Sequence, residues 1–164
     1  MSEQKIKRKA KKPYSQRTDV EKVCSNWRKT LGLFERGEYS VAIIRAATTV
    51  ELAANLVIRA ELIRKRDLPS HFVDKLLTWA NGLNGKIRYI ISPICRGRTI
   101  CGNLKKLQNE IESVSKERNS IVHSGQFKKK DTARKTIEKA HTVVVGLVKP
   151  YERNFDLPEL SGRG

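Results

Sequence analysis

From Asp19 onward, apolar residues recur every three or four positions: Val20, Val23, Trp27, Leu31 and Phe34 form one stripe, which Gly37 ends. That spacing follows one face of an α-helix, so a first amphipathic helix is expected between Asp19 and the glycine. The next stretch, residues 38–66 (EYSVAIIRAATTVELAANLVIRAELIRKR), contains neither Gly nor Pro and is apolar on nearly every side as far as Arg59. A helix of that kind is packed by neighbours on several sides, which predicts a central helix. Pro69 and Ser70 restart the chain, and HFVDKLLTWAN reads as a short helix with Phe72, Leu76, Leu77 and Trp79 facing inward.

A further short element, GKIRYII, is expected between the glycines at 82 and 85 and Pro93, followed by a loop, SPICRGRTICGN, that exposes Arg96 and Arg98. Gly102 and Asn103 read as the start of a fifth helix whose seam is Leu104, Leu107, Ile111, Val114, Arg118 and Ile121. After Gly125 and the FKKK cluster, Ala133, Ile137, Ala140, Val144, Leu147 and Val148 define a last long helix. No segment alternates as a strand does. The expected fold is all-α, an antiparallel bundle of about five to six helices with short connections. Its helical domain runs over residues 19–149, preceded by a basic flexible arm at 1–18 and followed by an irregular tail at 150–164.

Charge adds a partner to this picture. The 164 residues carry a formal net charge of +17. The arm, up to Arg17, contributes +6, so the remainder still carries +11. A basic domain behind a basic arm points to a polyanion, and nucleic acid is the commonest one. The three cysteines, Cys24, Cys95 and Cys101, lack CxxC spacing, which argues against a zinc site or a disulfide framework. No cofactor or metal is expected. No uninterrupted apolar run of membrane-spanning length is present and the N-terminus has no signal-peptide pattern, so a cytoplasmic protein without a membrane partner is expected.

Within the fifth helix, Arg118 is the one seam position that is not aliphatic. A guanidinium in an apolar seam must be paired, hydrated or turned toward a partner. His123 follows in the last turn before Gly125, a residue suited to a left-handed helix stop. Histidine gives and accepts protons near neutral pH, and arginine stabilises developing phosphate charge. Residues five apart lie about 140° apart around a helix, so the two do not stack directly. Arg66 and His71 have the same spacing, but Pro69 interrupts them and no asparagine follows the arginine.

The segment Arg118-Asn119-Ser120-Ile121-Val122-His123 resembles the R-N-x-x-x-H signature of HEPN domains, small all-α bundles that carry it near the end of a late helix. The resemblance covers helix order over about residues 19–149, and only the motif is residue-specific. It implies metal-independent RNA cleavage by a homodimer whose two motifs meet at the interface. His123 would be general acid or base around 2′-OH attack, Arg118 would stabilise the pentavalent phosphate, and Asn119 would orient backbone or RNA. Members often act in toxin–antitoxin, phage-defence or RNA-processing systems, so the resemblance leaves an antitoxin protein open as a partner. Where members modified by a nucleotidyltransferase commonly have tyrosine, this chain has Gly125. The family often carries an acid in its second helix, which singles out Glu51 as a partner of Arg118.

RNA contacts are expected from Arg96 and Arg98 in the loop and from Lys128, Lys129 and Lys130 after the motif, besides the arm. His71 and His141 are expected to be structural, and Asn55 is a weaker site candidate than Glu51. Two alternatives accompany the ribonuclease reading. One is a non-catalytic module binding RNA or a nucleotide beside an enzyme partner. The other is a helical interaction protein whose arm binds DNA or an acidic protein.

Overall fold

In the computed structural model, which describes residues 12–161, the chain folds into six helices, and no strand occurs among the described residues. Helix α1, Asp19–Glu35, begins at a capping box: Glu21 N–H donates to Thr18 Oγ1, and Thr18 N–H donates to the Glu21 carboxylate. Reciprocal bonds of this kind satisfy two donors that the first helical turn leaves open. At its other end Gly37 adopts φ 79°, while Gly37 N–H and Glu38 N–H return to Phe34 O and Leu33 O. This Schellman closure turns the chain directly into the next helix.

Helix α2, Tyr39–Arg59, is the central element and runs on through a wider π-helical turn, Ala60–Arg64. Its Ala42, Ile43, Ala46, Val50, Ala53, Ala54, Val57 and Ile58 are all buried. Burying each large aliphatic side chain contributes about 1.5–3 kcal/mol, and the alanines let neighbouring helices approach closely. By length and composition the helical stretch 39–64 is long enough and apolar enough to cross a membrane, although Arg45 and Glu51 interrupt its apolar run. In the bundle it packs against α1 and against the two long C-terminal helices.

Helix α3, Ser70–Trp79, corrects one expectation. Val73 and Leu77 are its buried residues, whereas Phe72 and Trp79 are exposed. Two apolar lines, 73/77 and 72/76/79, compete for the core on this helix, and the bundle accepts the first. Helix α4, residues 82–94, starts as Gly82–Gly85, widens through π-helical Lys86–Ile91 and closes at Ser92–Ile94.

Helix α5, Thr99–Ser124, starts ahead of the Gly102–Asn103 signal, with Arg98 as its N-cap residue. Leu104, Leu107, Ile111 and Val114 are buried as the seam requires. Helix α6, Lys130–Val148, buries Ala133, Ile137, Ala140, Val143, Val144, Leu147 and Val148.

The segments outside the helices also pack. Phe155 and Leu157 of the irregular C-terminal stretch are buried, Trp27 Nε1 donates to Pro158 O at 2.8 Å, and His141 Nε2 donates to Leu157 O at 3.0 Å. His141 is therefore structural, as expected. Of the expected arm, residues 1–11 lie outside the described residues. The part from residue 12 to 18 folds back on α1, with Lys12 paired to Glu21 at 3.1 Å and Arg17 Nη1 donating to Ser25 Oγ at 2.9 Å.

Candidate functional site

After Val114 the α5 seam leaves the core, because Arg118 and Ile121 are only half-buried. This explains how the helix tolerates an arginine at a seam position: the guanidinium reaches solvent. Arg118 Nη1 donates to Asn119 Oδ1 at 3.1 Å. Asn119 and His123, one helical turn apart, line a shallow groove of about 520 Å³ together with Asn84, Glu112, Ser115, Lys116, Ser120 and Ser124. Its floor is the polar stripe of α5, and Asn84 of α4 forms the opposite wall, where Ser115 Oγ donates to Asn84 Oδ1 at 3.4 Å. Arg118 lies off that stripe and meets the groove through Asn119.

The helix stop is as the sequence requires. Gly125 adopts φ 62°, and the N–H groups of Gly125 and Gln126 return to Ile121 O and Ser120 O. His123 is exposed on this last turn, where its ring is open to a ligand.

Glu51 does not sit with the motif. Its carboxylate pairs with Lys86 of α4 and not with Arg118. Lys86 is buried, and an ammonium there needs a counter-charge, so the pair holds α4 against α2. Asn55, one turn on, has a buried Oδ1 with no hydrogen-bond partner among the described residues.

The expected RNA contacts divide. Arg96 is exposed and lines a larger cleft of about 830 Å³ between α4 and α5. Arg98 is exposed as well, but its guanidinium is paired: Nη1 lies 2.6 Å from Glu61 Oε2. Lys128 is likewise a structural residue, with its Nζ 2.8 Å from Glu117 Oε2 and its backbone N–H donating to Ser40 Oγ at 2.9 Å. That correction follows from geometry, since the loop after α5 must be tied down before α6 begins. Lys129 and Lys130 are exposed.

Among the described residues Glu61, which no spacing in the sequence singles out, is the most heavily partnered acid. It has no solvent exposure and meets Lys65 at 2.7 Å, Arg66 at 2.8 Å, Arg98 at 2.6 Å and Tyr151 Oη at 2.8 Å. Burial pushes its carboxyl upward, but hydrogen bonds from Lys65, Arg66 and Tyr151 prevail and hold its pKa at about 2. Burial also raises the Tyr151 hydroxyl pKa, and its bond to Glu61 adds to that. Arg66 also donates to Ile94 O at 3.0 Å, so the arginine of the decoy Arg66–His71 spacing fastens α4 to α2.

Other features of the groove carried only faint signals. Glu112, Lys116, Asn119 and His123 recur at helical spacing, a polar stripe beside the seam that periodicity could have found. Asn84 comes from a different helix, and only tertiary packing brings it there. Among the described residues, no group of three or more His, Cys, Asp or Glu side chains is placed to hold a metal ion. No protein-family model, no curated protein and no solved structure matches the chain.

Proposed function

We propose that the chain is a metal-independent endoribonuclease of the HEPN type, with its site in the groove of Asn119 and His123. The observation that carries this reading is the joining of Asn119, His123 and, through the 3.1 Å Arg118–Asn119 bond, a guanidinium at one open edge of a strongly basic molecule. In the reaction, a ribose 2′-oxygen attacks the adjacent phosphorus. The O2′–P bond forms and the P–O5′ bond breaks, leaving a 2′,3′-cyclic phosphate and a 5′-hydroxyl. His123 takes the 2′-OH proton or supplies one to the departing 5′-oxygen, and Arg118 holds the charge that develops on the phosphoryl oxygens. Asn119 positions Arg118 in the free protein and is open to the substrate.

An exposed apolar patch supports a homodimer. Val122 of the motif and Phe127 of the following loop are exposed, Phe127 to 95%. The Lys128–Ser40 bond brings that loop beside α2, where Val41 is also exposed. Covering such a patch with a second copy places two motifs close together.

Cleavage of single-stranded RNA in EDTA tests the reading. His123→Ala should lower the rate by about 10²–10⁴-fold and Arg118→Ala by about 10²–10³-fold, with circular dichroism unchanged. Wild-type rates in both variants would remove the site assignment. A second reading is a binding module, in which Arg118, held by Asn119, contacts a phosphate without turnover. RNA binding without cleavage that survives His123→Ala and weakens with salt would favour that reading.

A further inference from the structure

We propose that single-stranded RNA lies along a track from the aromatic pair Trp79–Tyr89, through the α4–α5 cleft, to the groove at His123. The proposal rests on the ribonuclease reading for the far end of the track, and it adds the form of the substrate and the residues that hold it.

Trp79 is 69% exposed and Tyr89 58% exposed, with ring centroids 6.4 Å apart and planes tilted by 56°. Trp79 and Tyr89 come from different helices and keep more than half of their surface in water, with Arg88 lying over the Tyr89 ring. Arg88 connects them to the cleft: its guanidinium lies 5.6 Å from the Tyr89 ring centroid, and the residue lines the cleft wall. Beyond it Arg96 and Lys105 also line the cleft, against one carboxylate, Glu112, among its described lining residues. The cleft and the groove share Asn84 and Glu112, so one depression leads into the other.

Aromatic faces, then cations, then a proton-transfer group is the arrangement an unpaired strand requires. Bases with exposed faces stack on rings whatever their sequence, and the phosphates follow the positive groove. In a duplex the base faces are already stacked on one another, so it could not use the rings. The positive lining, together with the overall charge, favours a polyanion over an apolar peptide as the occupant.

The test measures binding of a fluorescein-labelled oligoribonucleotide and of the same sequence as a duplex, alongside intrinsic tryptophan fluorescence. Trp27 is fully buried, so quenching on binding reports Trp79. Single-stranded RNA should bind more tightly than duplex and quench the emission. Trp79→Ala and Tyr89→Ala should each weaken binding by about tenfold. Arg88→Ala should lower the salt slope by about one phosphate contact. A wild type that binds with quenching but never cleaves would overturn the nuclease reading and leave the track in place. A Trp79→Ala/Tyr89→Ala protein that binds and cleaves like wild type would overturn the track and spare the nuclease. If that double variant keeps its RNA affinity but sediments as a smaller species, the pair belongs to a protein interface, which also overturns the track.

Discussion

Glu61 shows how much of this molecule depends on single charges held in place by several partners. Its carboxylate is fully buried, and three cations and a tyrosine hydroxyl converge on it. Its folded pKa of about 2 lies below the ordinary glutamate value near 4.3. A carboxyl with a depressed folded pKa stabilises the native state fully above the unfolded pKa and loses that contribution as pH falls toward the folded one. Urea unfolding should therefore show stability falling between about pH 4.5 and pH 2. Glu61→Gln should cost about 2–3 kcal/mol at pH 7, discounted because the cations are partly exposed, and its gap from wild type should narrow below pH 4.5. An equal gap at pH 7 and pH 3 would mean that the charge of Glu61 is not what the cluster uses. Glu51 and Lys86 form a similar but simpler pair across α2 and α4, so the partner of Glu51 is Lys86 and not Arg118.

Between helices, one close approach lies where Gly146 of α6 faces Leu107 of α5. A Cβ at Gly146 would stand 2.7 Å from Leu107 Cδ1, well inside van der Waals contact. Gly146→Val should destabilise the protein by about 1–3 kcal/mol through overpacking. Leu107→Ala should relieve part of that loss, so a double-mutant cycle in urea should give a coupling of about 1 kcal/mol. Additive losses would show that the two helices do not meet through this pair. Such contacts mark the boundary of what periodicity reveals. The stripes of α1, α5 and α6 and the Gly37 and Gly125 stops were legible, because each depends on local geometry that one helix satisfies alone. On α3, with apolar residues on two adjacent lines, the buried line is chosen by the neighbours, and Phe72 and Trp79 were misassigned for that reason. The start of α5 was also misplaced, since residues 99–101 continue the helix without a side-chain cap. For the candidate site, the helix end at Gly125 and the place of His123 in the last turn were legible. The partners of Glu51, Arg98 and Lys128 were not, because an ion pair between distant segments leaves no spacing in the sequence.

For the whole molecule, the arrangement on α5 bears directly on how the proposed site is assembled. Arg118 and His123 are about 140° apart around the helix axis, and in one chain the guanidinium is directed to Asn119. A single phosphate can be reached by both groups more directly if the arginine comes from one protomer and the histidine from its partner. The exposed Val41, Val122 and Phe127 offer the surface on which two copies would meet. Mixing inactive Arg118→Ala protein with inactive His123→Ala protein distinguishes the two arrangements. A site shared between protomers is intact once in every mixed dimer, so random exchange should restore about a quarter of wild-type cleavage. A site built within one chain is broken in every protomer of the mixture, and no activity should return. Phe127→Asp in both proteins, placing a charge on the apolar patch, should abolish the recovery and shift sedimentation to the monomer. Recovery that persists in a sedimenting monomer would disconnect the patch from the assembly and leave Phe127 without that role.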